Sequence, residues 1–183
     1  MPLKIGQRPD HGFDEPLGLL SDCHRRIEHF LHVLTATADR ADGGSLSDGE
    51  RIQLEAALTY FRTAAPRHTA DEEESLFPRM EASLDRNAIT ALNVIRRLES
   101  DHARAERLHD AVEQLVRLWL AHRRLANGLV QELNQHLARL NTLYAAHIAV
   151  EDREVFPAAG RILSPSAIHE IGREMAARRS IRA

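Results

Sequence analysis

Apolar and polar positions follow a helical period along nearly all of the 183 residues, in runs built mainly from Ala, Leu, Arg and Glu, all good helix formers. The first helix is expected from about Pro16 to Arg40, with Pro16 tolerated in the first turn. The stretch ADGGSLS (41–47) breaks the pattern. Ser47, followed three residues later by Glu50, forms a capping box that opens a second helix, expected to reach Phe77 and stop near Pro78. Pro66 lies inside that helix and predicts a kink or break. A third helix is expected over about Arg86 to His122 and a fourth over about Ala126 to Phe156. Ser164-Pro165 caps a short fifth helix over about 165–179, whose basic end suits the helix dipole. Residues 1–15, with Pro2, Gly6, Pro9 and Gly12, read as an irregular arm. Four long helices with short connections predict an all-α, up-down-up-down four-helix bundle. The chain is expected to be one domain, 1–183, with the bundle at about 16–157.

Composition narrows the classes. Aromatic residues are only 4%, which disfavours a β sandwich. A net charge of −3 gives no basic surplus for nucleic acid. A single Cys excludes an intramolecular disulfide framework and a Cys-rich zinc site. The start, MPLKIGQRPDHGFDEP, has no apolar core of signal-peptide length, which predicts a cytoplasmic protein. No apolar run approaches the roughly 18 residues that span a bilayer. Histidine is the unusual residue, with 11 copies.

Those histidines sit in an internal repeat. SDCHRRIE (21–28) resembles SDHARAE (100–106), and HTADEEESLFP (68–78) resembles HIAVEDREVFP (147–157). His24 to His102 is 78 residues, and His68 to His147 is 79. A two-helix unit copied once predicts approximate two-fold symmetry, with equivalent side chains opposed in the core. Each long helix also carries His at i and Glu at i+4: His24/Glu28, His68/Glu72, His102/Glu106 and His147/Glu151. Residues so spaced share a helix face. Roughly one such spacing is expected by chance; six occur, the others being His11/Glu15 in the arm and His109/Glu113.

Register agrees with a common site. At roughly 1.5 Å per residue, antiparallel neighbours bring the four histidines to similar heights. The first pair is offset by about five residues, some 7 Å, a gap for the loop path and the Pro66 kink to absorb. Buried imidazoles and carboxylates are costly without partners, and a cation supplies the compensating charge. Imidazole and carboxylate without thiolate suit iron, manganese or zinc. Two shared carboxylates can hold two ions roughly 3.5–4 Å apart.

With these motifs, residues 15–157 resemble the bacterial hemerythrin-like proteins, the HHE cation-binding family. The resemblance implies a non-haem di-iron centre inside the bundle, with an oxo or hydroxo bridge. It implies His24, His68, His102 and His147 as terminal ligands and Glu72 and Glu151 as bridging carboxylates. Zinc or manganese could replace iron in a recombinant preparation. Oxygen-carrying hemerythrins have a second histidine four residues after the one on the third helix, where this chain has Glu106. One iron would then be richer in oxygen donors, which argues against reversible oxygen carriage. Glu28 and Glu106 read either as ligands or as acceptors for histidine N–H groups.

The remaining residues have plainer readings. Glu73 and Glu74 read as a solvated face, and Cys23 as a small buried thiol. His109 reads as a polar core or surface position, with an outer metal ligand or access path as the alternative. His136 and Tyr144 share the face of His147, and Tyr144 reads as packing or as the wall of a small pocket. Trp119, Phe30 and Phe61 read as core. Phe77-Pro78 and Phe156-Pro157 read as helix ends that plug the bundle. The functional expectation is a protein that binds or senses oxygen, nitric oxide or peroxide, with an unidentified electron donor, as monomer or homodimer. The alternatives are a di-iron enzyme (peroxide reduction, iron oxidation or repair of damaged iron centres) and an iron-responsive regulatory module.

Overall fold

The computed structural model describes residues 11–83 and 89–181. Among these residues the α-helices are, in order, α1 (Pro16–Ala41), α2 (Asp48–Thr63), α3 (Ala65–Ala70), α4 (Phe77–Ser83), α5 (Ile89–His122), α6 (Asn127–Val150), α7 (Phe156–Ile162) and α8 (Pro165–Arg178). Two π-helical turns, Asp71–Leu76 and Glu151–Val155, join α3 to α4 and α6 to α7. No strand occurs among the described residues, and the chain is an all-α helical bundle. No described helix is long and apolar enough to cross a membrane. The expected start of the third helix near Arg86, and the arm before residue 11, lie outside the described residues.

α1 packs on α2 and α6, and α5 packs on α6 and α2. At one end of the bundle, Trp119 Nε1 donates to the Gly44 carbonyl at 2.8 Å, and the Leu125 N–H donates to the Gly43 carbonyl at 2.9 Å. Arg51 donates to the Leu120 carbonyl there. The α1–α2 and α5–α6 connections therefore meet at this end. Gly43 makes the turn with φ +71, and a Cβ on it would lie 2.4 Å from Val130 and 2.7 Å from the Leu125 carbonyl oxygen. The Ser47–Glu50 capping box is present in full.

Burial is layered along the bundle. One apolar cluster includes Ile27, Leu31, Leu58, Phe61, Ala105 and Tyr144, and a second includes Leu20, Leu76, Phe77, Leu98, Phe156 and Met175. Between them in the sequence of every long helix lies a buried or nearly buried polar residue: His24, His68 with Glu72, His102, and His147 with Glu151. The polar residues thus form a layer sealed above and below by hydrocarbon.

The prolines depart from expectation in an instructive way. The kink is present: α2 ends at Thr63, and the next helical segment begins at Ala65, one residue before Pro66. Pro78 and Pro157, however, do not stop their helices. The Phe77 N–H reaches back to the Glu72 carbonyl and the Phe156 N–H to the Glu151 carbonyl, five residues each, before α register resumes. Pro78 and Pro157 are each the second residue of the helix that follows. A proline in a first turn has no N–H obligation to meet, so the trace continues to Ser83 and Ile162. π turns of this kind often mark functional positions.

α8 lies across the outside of this region, against α1 and the first π turn. Its Gly172 permits close approach of the arm, since a Cβ there would sit 1.8 Å from the Phe13 carbonyl oxygen. Its basic end is not simply solvated, as the sequence suggested. Arg178 Nη1 donates to Asp71 Oδ1 at 3.0 Å, and Arg179 Nη2 donates to Asp71 Oδ2 at 2.6 Å.

Candidate metal centre

Two buried glutamates, one on each π turn, lie at the centre of the site. Glu72 is the second residue of the first turn, after the buried Asp71, and Glu151 is the first residue of the second; both glutamates are 0% exposed. Glu72 Oε1 lies 3.4 Å from His68 Nε2 and 3.9 Å from His24 Nε2, while its Oε2 lies 3.3 Å from His102 Nε2. Glu151 Oε2 stands between His24 Nε2 and His147 Nε2, 3.1 Å from each. Two four-residue groups result: His24, His68, Glu72 and Glu151, and Glu72, His102, His147 and Glu151. In each, the donor atoms lie within 4.8 Å of one another, and both carboxylates belong to both groups. The first-pair register offset is absent: the His24 and His68 rings are 4.9 Å apart, against 4.6 Å for His102 and His147.

Neighbouring acids orient the imidazoles. His24 Nδ1 donates to Asp152 Oδ1 at 3.0 Å, and His102 Nδ1 donates to Glu73 Oε1 at 2.8 Å. Both acids come five residues after the second histidine of one half and serve the first histidine of the other. Glu73 is therefore no solvated bystander. The signal for this pairing was present, because the repeat carries an acid at that position in both copies. Asp101 Oδ2 is 3.8 Å from His147 Nδ1, an electrostatic rather than a hydrogen-bonding distance. His68 Nδ1 has no hydrogen-bond partner. The residue before His24, corresponding to Asp101 before His102, is Cys23, so symmetry fails at this point. The Phe-Pro phenylalanines also cross between halves: Phe156 stacks on His24 at 5.4 Å and Phe77 on His102 at 6.4 Å.

Glu28 and Glu106 are exposed and join neither group. The residue four after the histidine faces solvent on α1 and α5 and the interior beside His68 and His147, although the spacing is the same in all four pairs. Two histidines therefore stand in each group, and the expected oxygen-rich half is absent.

The site's electrostatics favour added positive charge. Burial, and then the Glu151 charge, push the Glu72 carboxyl well above the usual range. Burial also works against the charged form of Glu151, but His147 and His24 outweigh it and hold that carboxyl low. Burial opposes a charged His24, yet Asp152 and then Glu151 hold it up at about 10. His68 is pulled well below its usual value by burial and by the other imidazoles. All four oxygens of Glu72 and Glu151, and the Nε2 atoms of His24 and His102, lack a hydrogen bond of good geometry. Buried and unsatisfied, such atoms are costly unless a cation engages them. The residues present fit a pair of metal ions.

Sequence comparison agrees. Residues 15–159 match the hemerythrin HHE cation binding domain. The chain belongs to the hemerythrin family. An uncharacterized protein of Haemophilus influenzae (strain ATCC 51907 / DSM 11121 / KW20 / Rd) is 30% identical over 172 residues, which cover 93% of each chain. In this hemerythrin-family chain the outer acids give a direct test. Asp152→Ala should leave His24 without its acceptor and weaken metal binding about 10–100-fold. Competition with a chelator measures this, and an unchanged affinity would detach Asp152 from the site.

Other sequence candidates fall outside the two groups. His136 lies 3.7 Å from Glu132 on its own helix. Cys23 is buried, and burial pushes its thiol up to about 11, so it is no ready nucleophile. Trp119 is core, at 1% exposure. His109 and Tyr144 form a unit in which His109 Nε2 and the Tyr144 hydroxyl share a hydrogen bond of 2.9 Å and His109 stacks on Phe61 at 4.0 Å. Burial lowers His109 to about 4. Its stabilising neutrality is complete above the ordinary value of 6.5 and is lost as pH falls from there towards 4. Wild type should therefore lose about 3 kcal/mol more than His109→Phe between pH 7 and pH 4, measured by urea unfolding of chelated protein. Parallel pH curves would assign His109 no such role.

Proposed function

We propose that this protein is a non-haem di-iron protein that binds or senses a small ligand: oxygen, nitric oxide or peroxide. The observation that carries the reading is the pair of histidine groups sharing Glu72 and Glu151. His24 and His68 would hold one ion, His102 and His147 the other, and the two carboxylates would bridge them. When bound, the iron pair supplies open coordination positions and electrons for a small oxidant or diatomic ligand.

The chain's own residues do the rest. Asp152 and Glu73 hold the protons of His24 and His102 on Nδ1, leaving Nε2 facing Glu151 and Glu72. Phe156 and Phe77 cover the outer faces of those rings and keep water from the layer. Burial holds the Tyr144 phenol protonated, so its O–H remains a donor one turn from His147. A cavity reaches both His68 and His102 and gives a small ligand a path from solvent.

The first test is iron content. His68→Ala combined with Glu72→Ala should abolish stoichiometric loading, and full occupancy afterwards would overturn the ligand set. The second is spectroscopic. Iron-loaded protein, reduced without air, is titrated stepwise with oxygen and then purged. A charge-transfer band that appears and disappears supports ligand binding. Immediate conversion to a stable ferric state, with no adduct from nitric oxide or peroxide either, would overturn it.

A further inference from the structure

The cavity between α2–α3 and α5 is too large for a diatomic molecule alone. It encloses about 610 Å³, within the roughly 300–1,000 Å³ typical of sites for drug-sized organic molecules. Its inner wall is hydrocarbon, formed by Ile27, Leu34, Leu58, Phe61 and Val112. A few polar groups converge on the inner end. These are the His109–Tyr144 pair and His68, which is 4% exposed and has no partner on Nδ1. The outer lining carries six carboxylates, Glu73, Glu74, Glu99, Glu106, Asp110 and Glu113, against the single guanidinium of Arg62. Arg62 is already engaged by Glu113, and Glu74 by Arg178. Glu99, Glu106 and Asp110 are exposed and meet no basic side chain among the described residues. A bare metal ion needs no hydrocarbon chamber, and an anionic amphiphile would meet like charge at the mouth.

We propose that this cavity binds an amphipathic organic cation, an amine whose apolar body lies along Phe61 and Leu58 and whose ammonium group sits between Glu106 and Asp110, one turn apart on α5. Apolar burial supplies most of the binding, and the carboxylates select the sign of charge. The cavity adjoins the metal centre through His68 and His102, but none of the apolar and acidic residues named for the amine is among the six that would hold metal.

The test uses octylamine, octanol and octanoate, titrated calorimetrically into the full chain both as isolated and after chelation. Octylamine should bind one to one in both preparations, at least tenfold more tightly than octanol or octanoate at low ionic strength. It should also shift the methyl resonances of Ile27, Leu34 and Leu58. Glu106→Gln with Asp110→Asn, both on the exposed face of α5, should remove most of the tenfold preference and leave octanol binding unchanged. Ala103→Trp, at the exposed rim, should weaken all three probes that bind wild type. Octanoate binding as tightly as octylamine would overturn the charge assignment. Octylamine binding that is lost on chelation would place the amine on the metal instead and overturn the proposal. If no probe binds and the double variant instead slows ferrous ion loading, the rim is a cation path and the proposal falls.

Discussion

Glu72→Gln is expected to cost the protein its metal while leaving the metal-free fold as stable as before, or more so. Glu72 is fully buried, its two oxygens lack hydrogen bonds, and burial together with Glu151 pushes its carboxyl well up. Keeping such a group in an apolar interior is an expense that metal binding offsets. Glutamine keeps the volume and removes the charge that burial opposes, so the exchange relieves that cost in the metal-free protein. With metal the order reverses. A ligand present at about 1,000 times its dissociation constant stabilises the native state by about 4 kcal/mol. Wild type should show that gain and the variant should not, because Glu72 belongs to both groups and its loss injures both. Metal analysis and calorimetric melting, each with and without chelator, separate the cases. Full metal content in the variant would overturn the bridging role. A metal-free variant several kcal/mol less stable than wild type would make Glu72 a structural anchor instead.

Removing Arg178 and Arg179 together is expected to damage the same site from outside. Asp71 precedes Glu72 in the first π turn and is 0% exposed. Among the described residues its carboxylate is held by these two arginines, at the end of α8 and just after it. Arg178 also donates to Ser75 Oγ at 2.8 Å, and Arg79 ties Ser75 and Glu174 together across the same surface. α8 therefore grips the turn that aims Glu72. Arg178→Ala with Arg179→Ala leaves a buried charge uncompensated, which costs about 3–5 kcal/mol. Metal affinity should fall about 10–100-fold as the turn loosens, the size usual for loss of an outer support. Adding Asp71→Ala should restore much of the stability, since the stranded charge is gone, without restoring metal affinity. Chemical denaturation and chelator competition on the three proteins test this. If the double variant keeps both properties, α8 is only a cover.

The repeat made the site legible early. Glu72 and Glu151 stand in equivalent copies of one motif, and so do Glu73 and Asp152, although the latter acids were harder to interpret. Their partners lie 29 and 128 residues away, and no local spacing names such a partner. Glu28 and Glu106 mislead for the opposite reason. Their spacing from His24 and His102 is the same as in the inward-facing pairs, but on α1 and α5 that position faces solvent, and which side a helix buries is set by packing.

By itself the sequence determined the all-α class, the main helix breaks at 41–47 and Pro66, and the repeated histidine and glutamate motif. Helix period, capping chemistry and repetition act over a few residues or between obvious copies, so they can be read in one dimension. The tertiary structure decided what depends on rotation and distance. It carried both helices through Pro78 and Pro157 by widening a turn. It turned Glu72 and Glu151 inward, set Asp152 on His24 and Glu73 on His102, and brought α8 down on Asp71. The physical reason is common to all of these. A wide turn and a buried charge are each unfavourable alone, and they persist only where packed neighbours from distant parts of the chain compensate them.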